Sequence, residues 1–205
     1  MALRSAERLC SVIHLAKLGF DTVVGNELAP SAIAKCQENE QQWVQAAATN
    51  SATETAAIAA GSSSKSDKGG AHIKWVQGDM LQVFSGAAHA SAYDVVFDCQ
   101  VFHVMRSVDE QAFTQLVQNL LAPGGLYITI AGNAHEAARN PGPPVLTAAE
   151  VISPFEAVGL QLLRLQRTTF APTASYGASP PLAWLAVFVK AAGSEVGPLG
   201  SALHR

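Results

Sequence analysis

The chain has 205 residues, 49% hydrophobic and 14% charged, with a formal net charge of −3. That length and apolar content suffice for one domain with a full core, and the charge balance gives no electrostatic reason to bind nucleic acid or an anionic membrane surface. No apolar run is long enough to span a bilayer; Cys10, Cys36 and Cys99 are too widely spaced for a disulfide framework or a zinc site, so a reducing compartment, cytoplasmic by default, is expected.

Residues 5–18 predict a helix, with Leu9, Val12, Ile13 and Ala16 on one stripe and Gly19 as its stop. Residues 20–25, FDTVVG, predict a strand, because Thr22, Val23 and Val24 favour extended backbone. Asn26, Glu27 and Leu28 follow at its end. Pro30 then sits in the first turn of a second helix whose inner face starts with Ile33, Ala34 and Cys36. From Gln41 that pattern decays. Residues 46–70 are poor in large apolar side chains and rich in Ala, Ser, Thr and Gly. They predict an inserted surface loop, weakly helical over 53–60 and unable to order over 61–70. Residues 73–76, IKWV, resume as a strand that runs into Gln77, Gly78, Asp79 and Met80.

The central stretch begins at Tyr93. Val95, Val96 and Phe97 form a short apolar run without polar alternation, as in a parallel strand buried on both faces. Asp109 is the expected N-cap of a helix carrying Phe113, Leu116, Val117, Leu120 and Leu121 on one face. Pro123, Gly124 and Gly125 stop it, and residues 126–130 form the next strand. Strand, helix and strand with short joints make a right-handed parallel unit, and ligands of such sheets lie beyond the carboxyl ends of the strands. Asp98, Cys99, Gln100, Val101, Phe102 and His103 stand at that end. Residues 131–145 form a Gly/Pro/Asn-rich loop, also at a carboxyl end and so placed to cover a ligand.

Thr147 and Glu150 make a capping box for a helix with Ile152, Phe155 and Val158 inward and Gly159 as its end. Residues 160–170 and 182–189 are the last strands. The connection between them holds three prolines and no helical pattern, so no crossover fits and the two must pair antiparallel. Residues 191–205 read as a frayed tail after a single domain over 1–190.

The segments HLAKLGFDTVVGNELAPSAI, WVQGDML, YDVVFDCQVFH, LLAPGGLYITIAG and GPPVLTAAEVISPFEAVGL, in that order, resemble the class I S-adenosylmethionine-dependent methyltransferases, most of all small-molecule enzymes of the thiopurine and tellurite type. The resemblance implies an α/β Rossmann-like methyltransferase sheet, parallel with an antiparallel C-terminal strand pair. It implies S-adenosyl-L-methionine as cofactor, held at Glu27, Leu28, Asp79, Met80, Asp98 and Cys99. Glu27 is expected to accept the ribose hydroxyls, Asp79 the adenine amino group, and Met80 to lie against the ring. Phe102 and His103 are expected beside a small-molecule acceptor, a thiol or other soft nucleophile, with His103 able to take its proton. The six histidines share no ligand spacing, so no metal is expected.

The family's first, central strand and its glycine-rich turn should precede the helix ending at Gly19, yet residues 1–10 contain no glycine. The sequence thus reads as lacking that strand, apparently truncated before the first helix, with impaired cofactor binding. Alternatives are a catalytically inactive methyltransferase-like chain whose sheet a partner chain completes, or an NAD-dependent Rossmann oxidoreductase. The antiparallel C-terminal pair speaks against the last.

Overall fold

The computed structural model describes residues 11–58, 72–136, 142, 144–172 and 179–192, with side chains for all of these except 47–58. The chain divides into two compact units at Val83 and Phe84.

The first unit contains α1 (Ser11–Lys17), β1 (Thr22–Glu27), α2 (Pro30–Ile58), β2 (His72–Gln77) and the single turn α3 (Met80–Val83). β1 and β2 pair in parallel, from Thr22 opposite His72 to Glu27 opposite Gln77. Ile13 and Ala16 of α1, Val23 of β1 and Ile33 of α2 are buried, as the apolar stripes predict. Gly19 takes φ +94° after α1, a left-handed stop that glycine adopts without a Cβ clash. Gly25 is needed for another reason: a Cβ there would clash with the edge of the Trp75 ring and lie 2.7 Å from Val12. Trp75 is held by its Nε1 donating to Glu40 of α2 at 2.6 Å. α2 differs from the sequence expectation. It runs on to Ile58, so residues 46–52, expected as loop, are helical, and so are 53–58, where weak helix was expected. Alanine supplies the reason, since it is the best helix former even where no apolar face remains to be buried. The rest of that loop and most of the expected tail lie outside the described residues.

The second unit holds a short 3₁₀ turn (Ala87–His89), β3 (Tyr93–Cys99), α4 (Phe102–Leu120), β4 (Leu121–Asn133), β5 (Val145–Leu146), α5 (Ala148–Ala157), β6 (Leu160–Thr169) and β7 (Leu182–Lys190). The sheet order is β3-β4-β7-β6, with β5 on β4. β3 and β4 are parallel, whereas β7 runs antiparallel to both β4 and β6. Trp184, Ala186 and Phe188 of β7 are buried while Leu185 and Val187 are half-buried, the period-two pattern of a strand. The core is aromatic: the Phe155 ring lies 4.6 Å from Tyr127, 4.8 Å from Phe102 and 5.0 Å from Phe188. Among the described residues β1 pairs only with β2, and β3 only with β4. The five-stranded sheet thus shows the expected parallel pairing joined to an antiparallel C-terminal pair.

α4 is two helices joined at a kink. Asp109 has φ −159° and ψ 85°, and its Oδ1 accepts from Ala112 N at 2.9 Å, so it caps the second piece as predicted. Phe113, Leu116, Val117 and Leu120 of that piece are buried. The first piece, from Phe102, extends the helix back to the end of β3.

Candidate active site

In the first unit, Glu27 is the last residue of β1, and its backbone carbonyl accepts from Gly78 N at 3.0 Å. Asn26 Nδ2 donates to the carbonyls of Val76 and Gly78, both at 3.1 Å, which ties the end of β1 to the turn after β2. That turn needs Gly78, at φ +139°. The Glu27 carboxylate is exposed and has no partner among the described residues. Asp79 Oδ1 accepts from Leu81 N at 3.0 Å and starts α3, leaving Oδ2 open. Leu28 is 69% exposed, and Met80 is half-buried. Two acidic side chains, with an apolar residue after each, therefore sit at the carboxyl ends of paired parallel strands. Carboxylates in that position accept hydroxyl and amino donors of a nucleoside, so the residues present suit the adenosine half of the expected cofactor.

In the second unit, β3 passes into α4 through a tight turn. Gln100 takes φ 70°, rare for a residue with a side chain, while its N–H donates to Ile130 O at 2.9 Å. Asp98 holds this turn from beneath. Its Oδ1 accepts from Val101 N at 3.0 Å and Phe102 N at 3.2 Å, and its Oδ2 accepts from the Tyr127 hydroxyl. Asp98 is therefore the side-chain cap of α4, with both oxygens occupied. Burial pushes its carboxyl above the usual range and pushes the Tyr127 phenol well up. Thr129, opposite Asp98 in the ladder, eases that charge, although its buried hydroxyl makes no hydrogen bond of regular geometry. Phe102 is wholly buried against Phe155 and Phe113, so its ring belongs to the core, not to a surface open to an acceptor. Cys99 is exposed, and desolvation with the neighbouring Asp98 charge pushes its thiol up to about 11. It is a protonated thiol at neutral pH, not a nucleophile.

His103 is 4% exposed, and its Nδ1 accepts from Gly132 N at 3.1 Å. A backbone N–H can only donate, so Nδ1 carries no proton and Nε2 carries it. Burial lowers the imidazole's proton affinity, which agrees with a neutral ring. The base role expected of His103 is thus not available: its one lone pair is engaged, and Nε2 can only donate. Gly132 itself is required by the segment beside it, because a Cβ there would collide with the Pro144 carbonyl.

Several site residues escaped sequence reasoning. Tyr127 reads as a strand residue, and nothing in its neighbours signals a bond to Asp98, 29 positions away. Asn133 and His135 fall in a segment legible only as a loop. Asn133 is wholly buried; its Oδ1 accepts from His135 N at 2.9 Å and meets His135 Nδ1 at 2.7 Å. Among the described residues no group of three His, Cys, Asp or Glu could hold a metal ion, and no helix is long and apolar enough to cross a membrane.

No protein-family model matches the chain, and no curated protein sequence is similar to it. Solved structures are similar in fold. A methyltransferase from Methanosarcina mazei, S-adenosylmethionine-dependent, superposes with a TM-score of 0.59 at 15% identity, over 88% of this chain and 87% of the other. The fold is that of the S-adenosylmethionine-dependent methyltransferases. The N-methyltransferase NodS of Bradyrhizobium japonicum, solved in complex with S-adenosyl-l-homocysteine, matches with a TM-score of 0.54 at 18% identity, over 89% of this chain and 74% of the other. The [4+2]-cyclase SpnF matches with a TM-score of 0.60 at 12% identity, over 88% and 70%. One fold thus serves methyl transfer and cyclisation, and the side chains at the strand ends must decide between them.

Proposed function

We propose that this chain transfers a methyl group from S-adenosyl-L-methionine to a small-molecule acceptor, a thiol or other soft nucleophile, as enzymes of the thiopurine and tellurite type do. The observation that carries the proposal is Glu27: an exposed carboxylate without a partner among the described residues, at the carboxyl end of a parallel strand, in a fold shared with methyltransferases. Glu27 accepts from the ribose hydroxyls, Asp79 Oδ2 accepts from the adenine amino group, and Leu28 and Met80 supply apolar contact. The cofactor supplies an electrophilic methyl group on a sulfonium centre. Asp98 acts as a positioning residue, holding the turn that presents Cys99 and His103. The high proton affinity of Cys99 keeps that thiol from competing with the acceptor for the methyl group. His103 Nε2–H is the hydrogen-bond donor that the second unit offers to an acceptor atom.

The test is calorimetric titration with S-adenosylmethionine. Glu27→Ala is expected to weaken binding about ten- to hundredfold, the worth of one or two charge-assisted hydrogen bonds at about 1.5–3 kcal/mol. Binding that is unchanged in Glu27→Ala would remove the assignment. A second reading has its own observation: β1 and β3 each pair with one strand only among the described residues. A partner chain adding a strand to these edges would make the protein a subunit with little activity alone. Light scattering that finds only monomers at high concentration, together with turnover by the isolated chain, argues against it.

A further inference from the structure

We infer that the outer edge of β2 is a docking strand for an extended segment of a partner protein in which an acidic and a basic residue stand side by side. The inference is independent of the methyl-transfer reading and lies wholly within the first unit. The backbone supplies the first reason. His72 N donates to Asp21 O at 2.8 Å and Gly78 N donates to Glu27 O at 3.0 Å, so the even-numbered positions of β2 face β1. In a parallel ladder each residue turns its N–H and its C=O to the same side, so those of Ile73, Trp75 and Gln77 point away from β1. Among the described residues β2 pairs with no other strand. Such an edge leaves a row of donors and acceptors open, and an added strand satisfies them.

The side chains beside that edge supply the second reason. Trp75 lies on the α2 side of the strand, where Gly25 leaves room for its ring and Glu40 accepts from its Nε1 at 2.6 Å. Gln37, Glu40, Gln41, Val44 and Gln45 recur at the three/four spacing of one face of α2 and, with Trp75, line a groove of about 520 Å³. Val44, 53% exposed, offers it apolar contact. Glu40 is the only charged side chain among these lining residues. Side chains alternate along a strand, so Lys74, which is exposed, stands on the opposite side of the sheet from Trp75. A segment added to this edge therefore meets a carboxylate on one side and an ammonium on the other, at adjacent positions of β2. Neighbouring residues of an extended chain also point to opposite sides, so a basic residue next to an acidic one answers both charges. A second copy of this chain does not, because two-fold pairing centred on Trp75 would face the Glu40 carboxylate of one copy with that of the other.

The test titrates the full chain with a capped, fluorescent peptide, Thr-Val-Thr-Glu-Arg-Thr-Val-Thr, read by anisotropy. Its isomer Thr-Val-Glu-Thr-Arg-Thr-Val-Thr has the same composition but carries both charges on one side when extended. The isomer is expected to bind about three- to tenfold more weakly, the worth of one or two partly screened ion pairs. The first peptide is also expected to slow hydrogen exchange at the Ile73, Trp75 and Gln77 amides. Ile73→Pro removes an outward N–H and no bond to β1, so it is expected to lose most of the binding while the thermal unfolding midpoint stays close to that of the unaltered chain. Glu40→Gln keeps an acceptor for Trp75 Nε1 and is expected to erase the difference between the two peptides; it decides the matter if the proline unfolds the strand. No binding of the first peptide at millimolar concentration, equal binding of the two isomers, an unchanged preference in Glu40→Gln, or protection at other amides overturns the inference. Slowed exchange at these three amides in a concentrated solution without peptide, with a dimer in light scattering, overturns it in favour of a second copy.

Discussion

At the residue scale, the buried bond between Tyr127 and Asp98 links the core to the turn that carries the site. Tyr127→Phe leaves Asp98 Oδ2 buried without its donor, which costs about 1–3 kcal/mol. Urea unfolding is expected to show a lower midpoint at unchanged slope. Asp98→Ala removes two N–H caps as well and is expected to be the more damaging of the two. His103 adds a pH dependence. Its folded-state proton affinity lies below the ordinary 6.5, so the unfolded chain binds the extra proton first. Stability is therefore expected to fall as pH drops below about 6.5 and on toward the lower folded value. In His103→Gln that slope should disappear, and a slope that persists would place the titration elsewhere. Gly132→Ala drives a Cβ into the Pro144 carbonyl, so β4 and β5 must part. A loss of about 1–3 kcal/mol, typical of overpacking, is expected in the same unfolding assay.

At the element scale, α5 and α4 are held by charges at their ends. Thr147 Oγ1 accepts from Glu150 N at 3.3 Å, while Glu150 Oε2 accepts from Thr147 N at 2.8 Å, the predicted capping box. Glu150 Oε1 also accepts from Arg106 of α4 at 2.8 Å. The Thr147 amide first, then Arg106, lowers the Glu150 carboxyl from 4.5 to about 2. Its contribution is complete above about 4.5 and is lost as pH falls toward about 2. Because the side chain is 38% exposed, water screens much of that, and Thr147→Ala is expected to cost only about 1 kcal/mol by thermal unfolding. Lys190 does the corresponding work at the other end of α4. Its Nζ donates to Gln118 O at 2.9 Å and Leu121 O at 2.8 Å, where the last helical carbonyls need donors. Lys190→Met keeps the stem and removes the donors, and is expected to lose about 1 kcal/mol; no change would mean that water replaces the ammonium.

At the scale of the whole molecule, each unit brings a different kind of chemistry to its strand ends. The first has open carboxylates at Glu27 and Asp79; the second has the buried imidazole of His103, a thiol whose proton affinity is raised and a carboxylate closed in on itself. Glu27→Ala is therefore expected to change affinity for S-adenosylmethionine in calorimetric titration, whereas Thr147→Ala is expected to leave that affinity alone and to lower only thermal stability.

Local signals were enough for much of this protein. The helix face of Phe113, Leu116, Val117 and Leu120, the cap at Asp109, the capping box at Thr147 and the stops at Gly19 and Gly159 are readable because each depends on residues within one or two turns of itself. The antiparallel C-terminal pair followed from a connection too short and proline-rich for a crossover. Glu27 and Asp79 were legible as strand-end acids, because a strand's direction also says where it ends. What the sequence does not carry is direction in space across long separations. Asp98 looks like an open carboxylate until Tyr127 is found beneath it, and Phe102 looks available until the Phe113 and Phe155 rings pack against it. His103 looks like a base until Gly132 occupies its lone pair, and His135 is one loop residue among many until Asn133 and Trp184 hold it. A histidine's chemistry depends on which nitrogen is bonded. Only the tertiary structure decides that, because the partner that sets it reaches the ring through space.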